Sequence, residues 1–435
     1  MGFRFNSLQH GVTMSKAINL HDFQLRGLEQ VKDRRRCAFF WAMGLGKTFV
    51  GSEKLMSFPN EVKVIVCQKS KVDDWLEHMT TYYDTPVFDL TNNKNLHKFV
   101  DGSGSRVGII NYDLLWRRVR LYQLKDIAVC FDESSMIKRS HARRTQAALR
   151  LNITSCVLLS GTPTGGQYEN LWSQCRLLGW RMSEDAFLDR YVVYRDFFPP
   201  NLKWPVSIVA GYKRTDEMLQ RMRDNGANFL KTEEVLTLPE QVFTTVNVPQ
   251  TKEYIKFIKD KVVEIDGREM VADNILTKLA YARQLCSGYS KPKEDALKDL
   301  FDSTNERVVV FYNFNNELDA IKRCAGDRPV SVINGKTRDL KAYEECDDSI
   351  TIVNFQAGAK GLNLQKACRM IIYSPTQIAE DYMQSLKRIH RIGQTRTCFY
   401  YKLITVASVE THMYKVLATK QDYTLKMFAK DFLDV

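Results

Sequence analysis

The sequence predicts an α/β protein made of two parallel-sheet lobes with helical insertions between them, and three observations carry that prediction. Short apolar runs recur in two series: Val64 to Cys67, Val107 to Ile110, Ile127 to Phe131 and Cys156 to Leu159, then Val308 to Phe311, Val330 to Ile333, Ile350 to Val353, Met370 to Tyr373 and Phe399 to Ile404. Runs of this kind, alternating with polar or helical stretches, are strands buried on both faces of a parallel sheet. Between the series, Arg181 to about Gly288 breaks the rhythm with Pro199, Pro200 and the aromatic residues Tyr191, Tyr194, Phe197 and Phe198, followed by longer helical segments. The first series is preceded by FFWAMGLGKT, Phe39 to Thr48, in which an apolar run turns through Gly44 and Gly46 into a helix-compatible segment.

In chain order, residues 1–18 lack apolar periodicity and read as a tail. The first lobe spans 19–238 with an insertion at about 181–238, a helical linker or protrusion spans 239–290, and the second lobe spans 291–435. From Asn19 to Asp33, residues Leu20, Phe23, Leu28 and Val31 fall at helical spacing with Gln24 on the same broad face, which by itself reads as a surface helix. The last segment sets Val409, Met413, Val416 and Leu417 on one helical face behind Ser408 as N-cap, so it packs on the core. A chain of 435 residues with 44% hydrophobic content carries enough apolar surface for two or three such cores.

Composition narrows the function classes. No apolar stretch approaches the roughly 20 residues needed to span a bilayer, and the N-terminus lacks the layout of a signal peptide. No membrane partner is expected, and the expected location is the cytoplasm of a bacterial or phage-infected cell, with the nucleus as the alternative. Ten cysteines lie scattered without a CxxC pair, several inside apolar runs, and read as reduced core residues. A net charge of +12 favours a polyanionic partner.

Several short stretches carry chemistry. Glycine at 44 and 46 lets the backbone aim N–H groups at phosphate oxygens beside a helix N-terminus, Lys47 then reaches β and γ phosphates, and the Thr48 hydroxyl holds Mg²⁺. Trp41 stands where the general phosphate-loop pattern has glycine, so taken alone the stretch fits a nucleotide loop or an ordinary glycine turn. Asp132 and Glu133 directly follow the run Ile127 to Phe131, at the strand end where parallel sheets bind ligands. There Asp132 suits Mg²⁺ through water and Glu133 suits the attacking water, a solvated acidic turn being the alternative. SGTP, Ser160 to Pro163, taken alone is a turn signal. In QSLKRIHRIGQ, Gln384 to Gln394, a helix would put Arg388 and Arg391 on one face with Gln384 one turn before Arg388. Adjacent guanidinium groups call for an anion, either a γ phosphate across a cleft or a DNA phosphate, or else form a solvated face.

Taken in order, these stretches resemble the Swi/Snf-type ATPases of helicase superfamily two over nearly the whole chain. HDFQLRGL resembles the family's Q motif, MGLGKT motif I, VCQKSKVDDW motif Ia, NYDLL the following DNA-contact motif and FDESSMIK motif II. SGTPTGGQYENLW resembles motif III and its sequel, VVVFYNF motif IV, INGKT the next DNA-contact turn, QAGAKGLNLQKA motif V and RIHRIGQ motif VI. The resemblance implies two RecA-like lobes, ATP with Mg²⁺ in the cleft between them, and double-stranded DNA held across both by its phosphates. It implies that Gln24 reads adenine, that Gly44, Gly46, Lys47 and Thr48 bind the phosphates and metal, and that Asp132 and Glu133 serve metal and water. Arg388 and Arg391 would be arginine fingers, Gln384 would face the γ phosphate and Asn363 the ribose. DNA phosphates would be met near Lys69, Ser70, Tyr112, Thr162, Asn313, Lys336 and Gln356.

The chain departs from the family at several positions. Trp41 and Ala42 replace two acids, Ser134 and Ser135 replace the Ala and His that end motif II, Phe355 takes a hydroxyl position in motif V, and the basic element before the linker is reduced to FLKTEEV, Phe229 to Val235. The expected activity is ATP-driven translocation on double-stranded DNA by a near-minimal, monomeric motor core of bacterial or phage type. A strand-separating helicase of the same superfamily and a nucleotide-gated DNA clamp are the alternatives, and no wedge is recognisable in residues 181–288.

Overall fold

Each apolar series becomes one parallel sheet in the computed structural model, which describes residues 18–161, 163, 167–198, 204–265, 267–272, 274–358 and 362–419. The chain divides into two units, Met1–Leu236 and Thr237–Val435. The first contains β1 (Arg36–Trp41), β2 (Val62–Cys67), β3 (Val87–Asp89), β4 (Arg106–Asn111), β5 (Ile127–Asp132) and β6 (Ile153–Leu159), then an antiparallel hairpin of β7 (Val192–Phe197) and β8 (Val206–Tyr212), then β9 (Ala227–Leu230). Its seven-stranded sheet has the order β3-β4-β2-β5-β6-β1-β9, and every pairing is parallel. That order sets the ends of β5, β6 and β1 side by side, so Asp132, Ser160 and the glycine turn emerge at one edge.

The second unit contains β10 (Gln241–Val248), the hairpin β11 (Val262–Ile265) and β12 (Arg268–Val271), then β13 (Val308–Tyr312), β14 (Val330–Ile333), β15 (Ile350–Asn354), β16 (Arg369–Ile372) and β17 (Cys398–Thr405). Its six-stranded parallel sheet has the order β10-β17-β16-β13-β15-β14. Alternation along the central strands builds two cores, Val309, Phe311, Val353, Met370 and Ile372 on one face and Val308, Val310, Ile352, Ile371 and Tyr373 on the other.

The 239–290 stretch is more than a helical linker. It supplies β10 to the second sheet and a small core of its own, in which Tyr254, Phe257, Val263, Leu279 and Leu285 pack with Val409 and Met413 of the helix Val409–Ala418. Ser408 accepts a hydrogen bond from the Glu410 N–H and caps that helix. From its first turn the Glu410 carboxylate meets Lys293 Nζ of the helix Lys291–Asp302 at 2.6 and 2.7 Å, with both side chains fully buried. Buried charges require such a partner.

All ten cysteines are free thiols, and only Cys324 and Cys346 are partly exposed. Among the described residues no helix is long and apolar enough to cross a membrane.

Candidate nucleotide site

The glycine turn leaves β1 with Gly44 at φ +86° and Gly46 at φ +71°, left-handed conformations that glycine adopts without strain. Gly46 is the N-cap of the helix Lys47–Met56, and a Cβ there would collide with the Gln24 side-chain amide. Gln24 is buried on the helix Asp22–Gln30, where its Nε2 donates to the Leu45 carbonyl at 3.0 Å and its Oε1 accepts from the His21 N–H at 2.8 Å. The expected surface helix therefore braces the loop from beneath. Lys47 Nζ lies 3.0 Å from the Trp41 carbonyl and 3.2 Å from that of Ala42, folded over the end of β1. Thr48 is half-buried one residue on.

Trp41 occupies one of the positions where the resemblance expects an acid, and it is fully buried. Its indole N–H donates to Asn228 Oδ1 of β9 at 2.6 Å, and its ring lies so close to Gly27 that a Cβ there would overlap it. An apolar side chain here ties the Asp22–Gln30 helix to the sheet edge.

At the end of β5, Asp132 Oδ2 accepts from the Trp75 indole N–H at 2.9 Å, and its carbonyl accepts from the Tyr112 hydroxyl at 2.8 Å. Glu133 follows in a left-handed conformation, φ +52°, which is costly for a residue with a Cβ and aims the side chain sharply out of the strand line. Ser134 Oγ donates to Gln174 Oε1 at 2.8 Å, and Gln174 Nε2 donates to the Pro163 carbonyl at 2.8 Å. The turn bearing the acids is thereby linked to the SGTP turn. A Cβ on Gly161 of that turn would lie 3.6 Å from Lys47 Nζ, so loop, acids and SGTP turn belong to one site. Gln174 and Asn228 lie in no motif that marks them as parts of it, and Trp75, the last residue of the motif Ia stretch, carried no expected role at the acids.

In the second unit the helix bearing Gln384 is Ala379–Leu386, so Arg388 and Arg391 lie beyond it and not on its face. This corrects the expected helical placement. The turn still brings them together, because Arg388 Nη1 and Arg391 Nη1 donate to the same Leu362 carbonyl, at 3.3 and 3.1 Å. Leu364 N–H donates to the Arg388 carbonyl at 3.1 Å, and Gln394 Nε2 donates to the carbonyls of Gln365, Ala367 and Ile389. The segment containing exposed Asn363 is thus zipped to the arginine turn. Burial holds the Arg391 guanidinium below its usual range, and no carboxylate pairs with it among the described residues. Gln384 is buried, with Nε2 on Glu380 Oε1 at 3.1 Å and its own Oε1 lacking a donor among the described residues.

The oxygen donors suit a hard cation. Asp132 Oδ1 and the Thr48 hydroxyl are the ligand types of Mg²⁺, which is commonly held by one or two carboxylates plus the phosphates of a nucleotide. They fit the metal.

The expected DNA-facing residues divide. Lys69 and Ser70 are exposed in the turn after β2, Lys336 is exposed after β14 and Gln356 after β15. Tyr112 is buried against Asp132, so its side chain supports the acid and is not presented to a phosphate. Asn313 is likewise engaged internally, its Nδ2 donating to Ser374 Oγ at 2.7 Å and to the Pro375 carbonyl at 3.1 Å. Thr162 lies outside the described residues.

Residues 25–290 match the SNF2-related domain and residues 292–393 the helicase conserved C-terminal domain. An uncharacterized ATP-dependent helicase of Mycoplasma pneumoniae is 22% identical over 98% of this chain and 43% of its own length. The human DNA repair and recombination protein RAD54-like is 23% identical over 81% of this chain and 56% of its own. The structure of a Sulfolobus solfataricus SWI2/SNF2 ATPase core in complex with dsDNA aligns at a TM-score of 0.46 with 19% identity, covering 92% of this chain and 91% of that one. The chain spans about a third to somewhat over half of the curated relatives it matches. With one match running through the phosphate loop and acids and the other through the paired arginines, the chain belongs to the SNF2-related family and carries a helicase conserved C-terminal domain.

Proposed function

We propose that the chain hydrolyses ATP to translocate on double-stranded DNA. The observation that carries this reading is the division of one set of parts between two units: the phosphate loop, Gln24, Asp132 and Glu133 belong to the first, whereas Arg388 and Arg391 converge on one carbonyl in the second. The loop N–H groups, Lys47 and Thr48 supply ground-state contacts to ATP, and Gln24 meets the adenine. Bound Mg²⁺ supplies positive charge to the phosphates. Glu133 holds and deprotonates the attacking water, and Arg388 and Arg391 neutralise charge developing on the γ phosphoryl group, with Gln384 beside them and Asn363 toward the ribose.

Because neither unit holds both sets, hydrolysis requires closure of one on the other, and product release permits reopening. Exposed polar groups at strand ends, namely Lys69 and Ser70 after β2, Lys336 after β14 and Gln356 after β15, suit phosphate contacts in both units. A duplex gripped by both units advances as they alternate.

Steady-state hydrolysis with no nucleic acid, duplex DNA, single-stranded DNA and RNA tests the proposal. Duplex DNA is expected to stimulate most; equal rates in all four arms overturn it. A strand-separating reading is favoured by the β7–β8 hairpin, on which Tyr194, Phe197 and Phe198 are exposed and able to stack on bases. Displacement of a labelled strand from a forked duplex distinguishes the two.

A further inference from the structure

At the end of the first sheet opposite the phosphate loop lies a cleft of about 400 Å³. Three arginines line it: Arg36 at the start of β1, Arg176 on the helix Trp172–Leu177, and Arg181 in the segment that follows. Its apolar wall includes Leu151, Trp172 and Met182, and among the described residues no acidic one lines it.

Arg36 donates through Nη1 to the Leu177 carbonyl at 2.7 Å and through Nη2 to the Ile153 carbonyl at 2.5 Å, and Arg176 Nη1 donates to the Trp180 carbonyl at 2.8 Å. These bonds fix two guanidinium groups in place without neutralising them. Among the described residues no carboxylate pairs with any of the three. Three positive charges held in one recess repel one another unless an anion joins them, and guanidinium groups match phosphate oxygens in geometry as well as charge. The Trp172 indole N–H is engaged with the Met182 carbonyl at 3.0 Å, which orients the ring as part of the wall. The volume falls in the range of clefts that enclose small organic ligands, roughly 300 to 1,000 Å³.

We propose that this cleft binds a small organic phosphate monoester, its phosphate on the guanidinium groups of Arg36, Arg176 and Arg181 and its apolar body against Leu151, Trp172 and Met182. The site is separate from the phosphate loop, which emerges from the other end of β1. It does not depend on the activity proposed above.

Titration calorimetry on the full chain with phenyl phosphate, inorganic phosphate and phenol tests the assignment. Phenyl phosphate is expected to bind with a dissociation constant of about 1 mM or tighter, and inorganic phosphate and phenol about tenfold more weakly or not at all. Arg176→Ala and Arg181→Ala alter exposed side chains, so each should keep the thermal transition of the parent while weakening phenyl phosphate about tenfold. Lys47→Ala should leave this binding unchanged. Absence of binding overturns the proposal, as does equal affinity for inorganic phosphate, which would remove the apolar wall from the site. Loss of binding in Lys47→Ala with retention in both arginine variants would move the ligand to the phosphate loop and overturn it too.

Discussion

At the scale of single residues, Lys47 and Glu133 separate binding from chemistry. Lys47→Ala removes the cation that the phosphate loop offers to the β and γ phosphates, so turnover should vanish together with much of the nucleotide affinity. Glu133→Gln keeps shape and hydrogen bonding but cannot accept the water's proton, so affinity should persist while turnover stalls. Nucleotide affinity measured beside turnover in both variants decides it; a parallel collapse in Glu133→Gln would make that residue structural.

His78 supports a second residue-scale expectation. It is buried between the Lys47–Met56 and Val72–Tyr82 helices, its Nε2 2.8 Å from Ser52 Oγ, while the Tyr83 hydroxyl donates to Glu53 Oε1 at 2.6 Å and lies 3.1 Å from Ser52 Oγ. Burial pushes the imidazole down from 6.5 to about 4. The unfolded chain therefore binds a proton below 6.5 that the folded chain refuses, and stability present above 6.5 is lost as pH falls toward 4, by up to about 3 kcal/mol. Glu53, whose carboxyl burial holds above its ordinary value, opposes this near the lower end of the window. Urea midpoints at several pH values from 7.5 to 5 should fall in the parent and flatten in His78→Gln; an unchanged slope in the variant would refute the assignment.

At the scale of elements, the central strands and the glycine turn were legible because each announces itself locally, as a continuous apolar run or as paired glycines before lysine. Three of the four edge strands were not, the exception being β14, read as the run Val330 to Ile333. β3, β9 and β10 are only partly buried, so they lack the unbroken apolar run by which the central strands were recognised. The arginine pair was legible as a pair but not in its setting, since a spacing of three residues reads alike on a helix and on the turn that follows Leu386. The bonds of Trp75 and Gln174 were not legible because their partners, Asp132 and Ser134, lie 57 and 40 residues away, and no local pattern encodes such a bond. The Lys293–Glu410 pair joining the Lys291–Asp302 and Val409–Ala418 helices was hidden for the same reason. Lys293→Met would leave Glu410 buried without its cation and should cost about 3 to 5 kcal/mol, whereas replacing both partners with apolar residues should recover much of the loss. Chemical denaturation of the single and double variants reads this directly; equal losses in both would show that the ion pair itself is not the source.

At the scale of the whole molecule, the proposed cycle needs parts from both units at once. Arg388→Ala or Arg391→Ala should leave ATP affinity largely intact, because the first unit supplies the ground-state contacts, while duplex-stimulated turnover should fall by roughly 10³. The double variant should be little worse than either single one if the pair acts as a unit. Near-normal turnover in both single variants would leave these arginines as DNA contacts or as a solvated turn.

The distribution of thiols adds a practical consequence. Eight cysteines are sealed in the cores, where burial raises the thiols of Cys37, Cys130, Cys156 and Cys286 far from the thiolate form that reacts, and burial also lifts the partly exposed Cys324 to about 11. A maleimide dye added to the folded chain near neutral pH should therefore attach almost entirely at Cys346, on the second unit, as peptide mass mapping would show. The native sequence thus offers one near-selective attachment point for a reporter, so the movement of that unit can be followed without first stripping the chain of its other thiols.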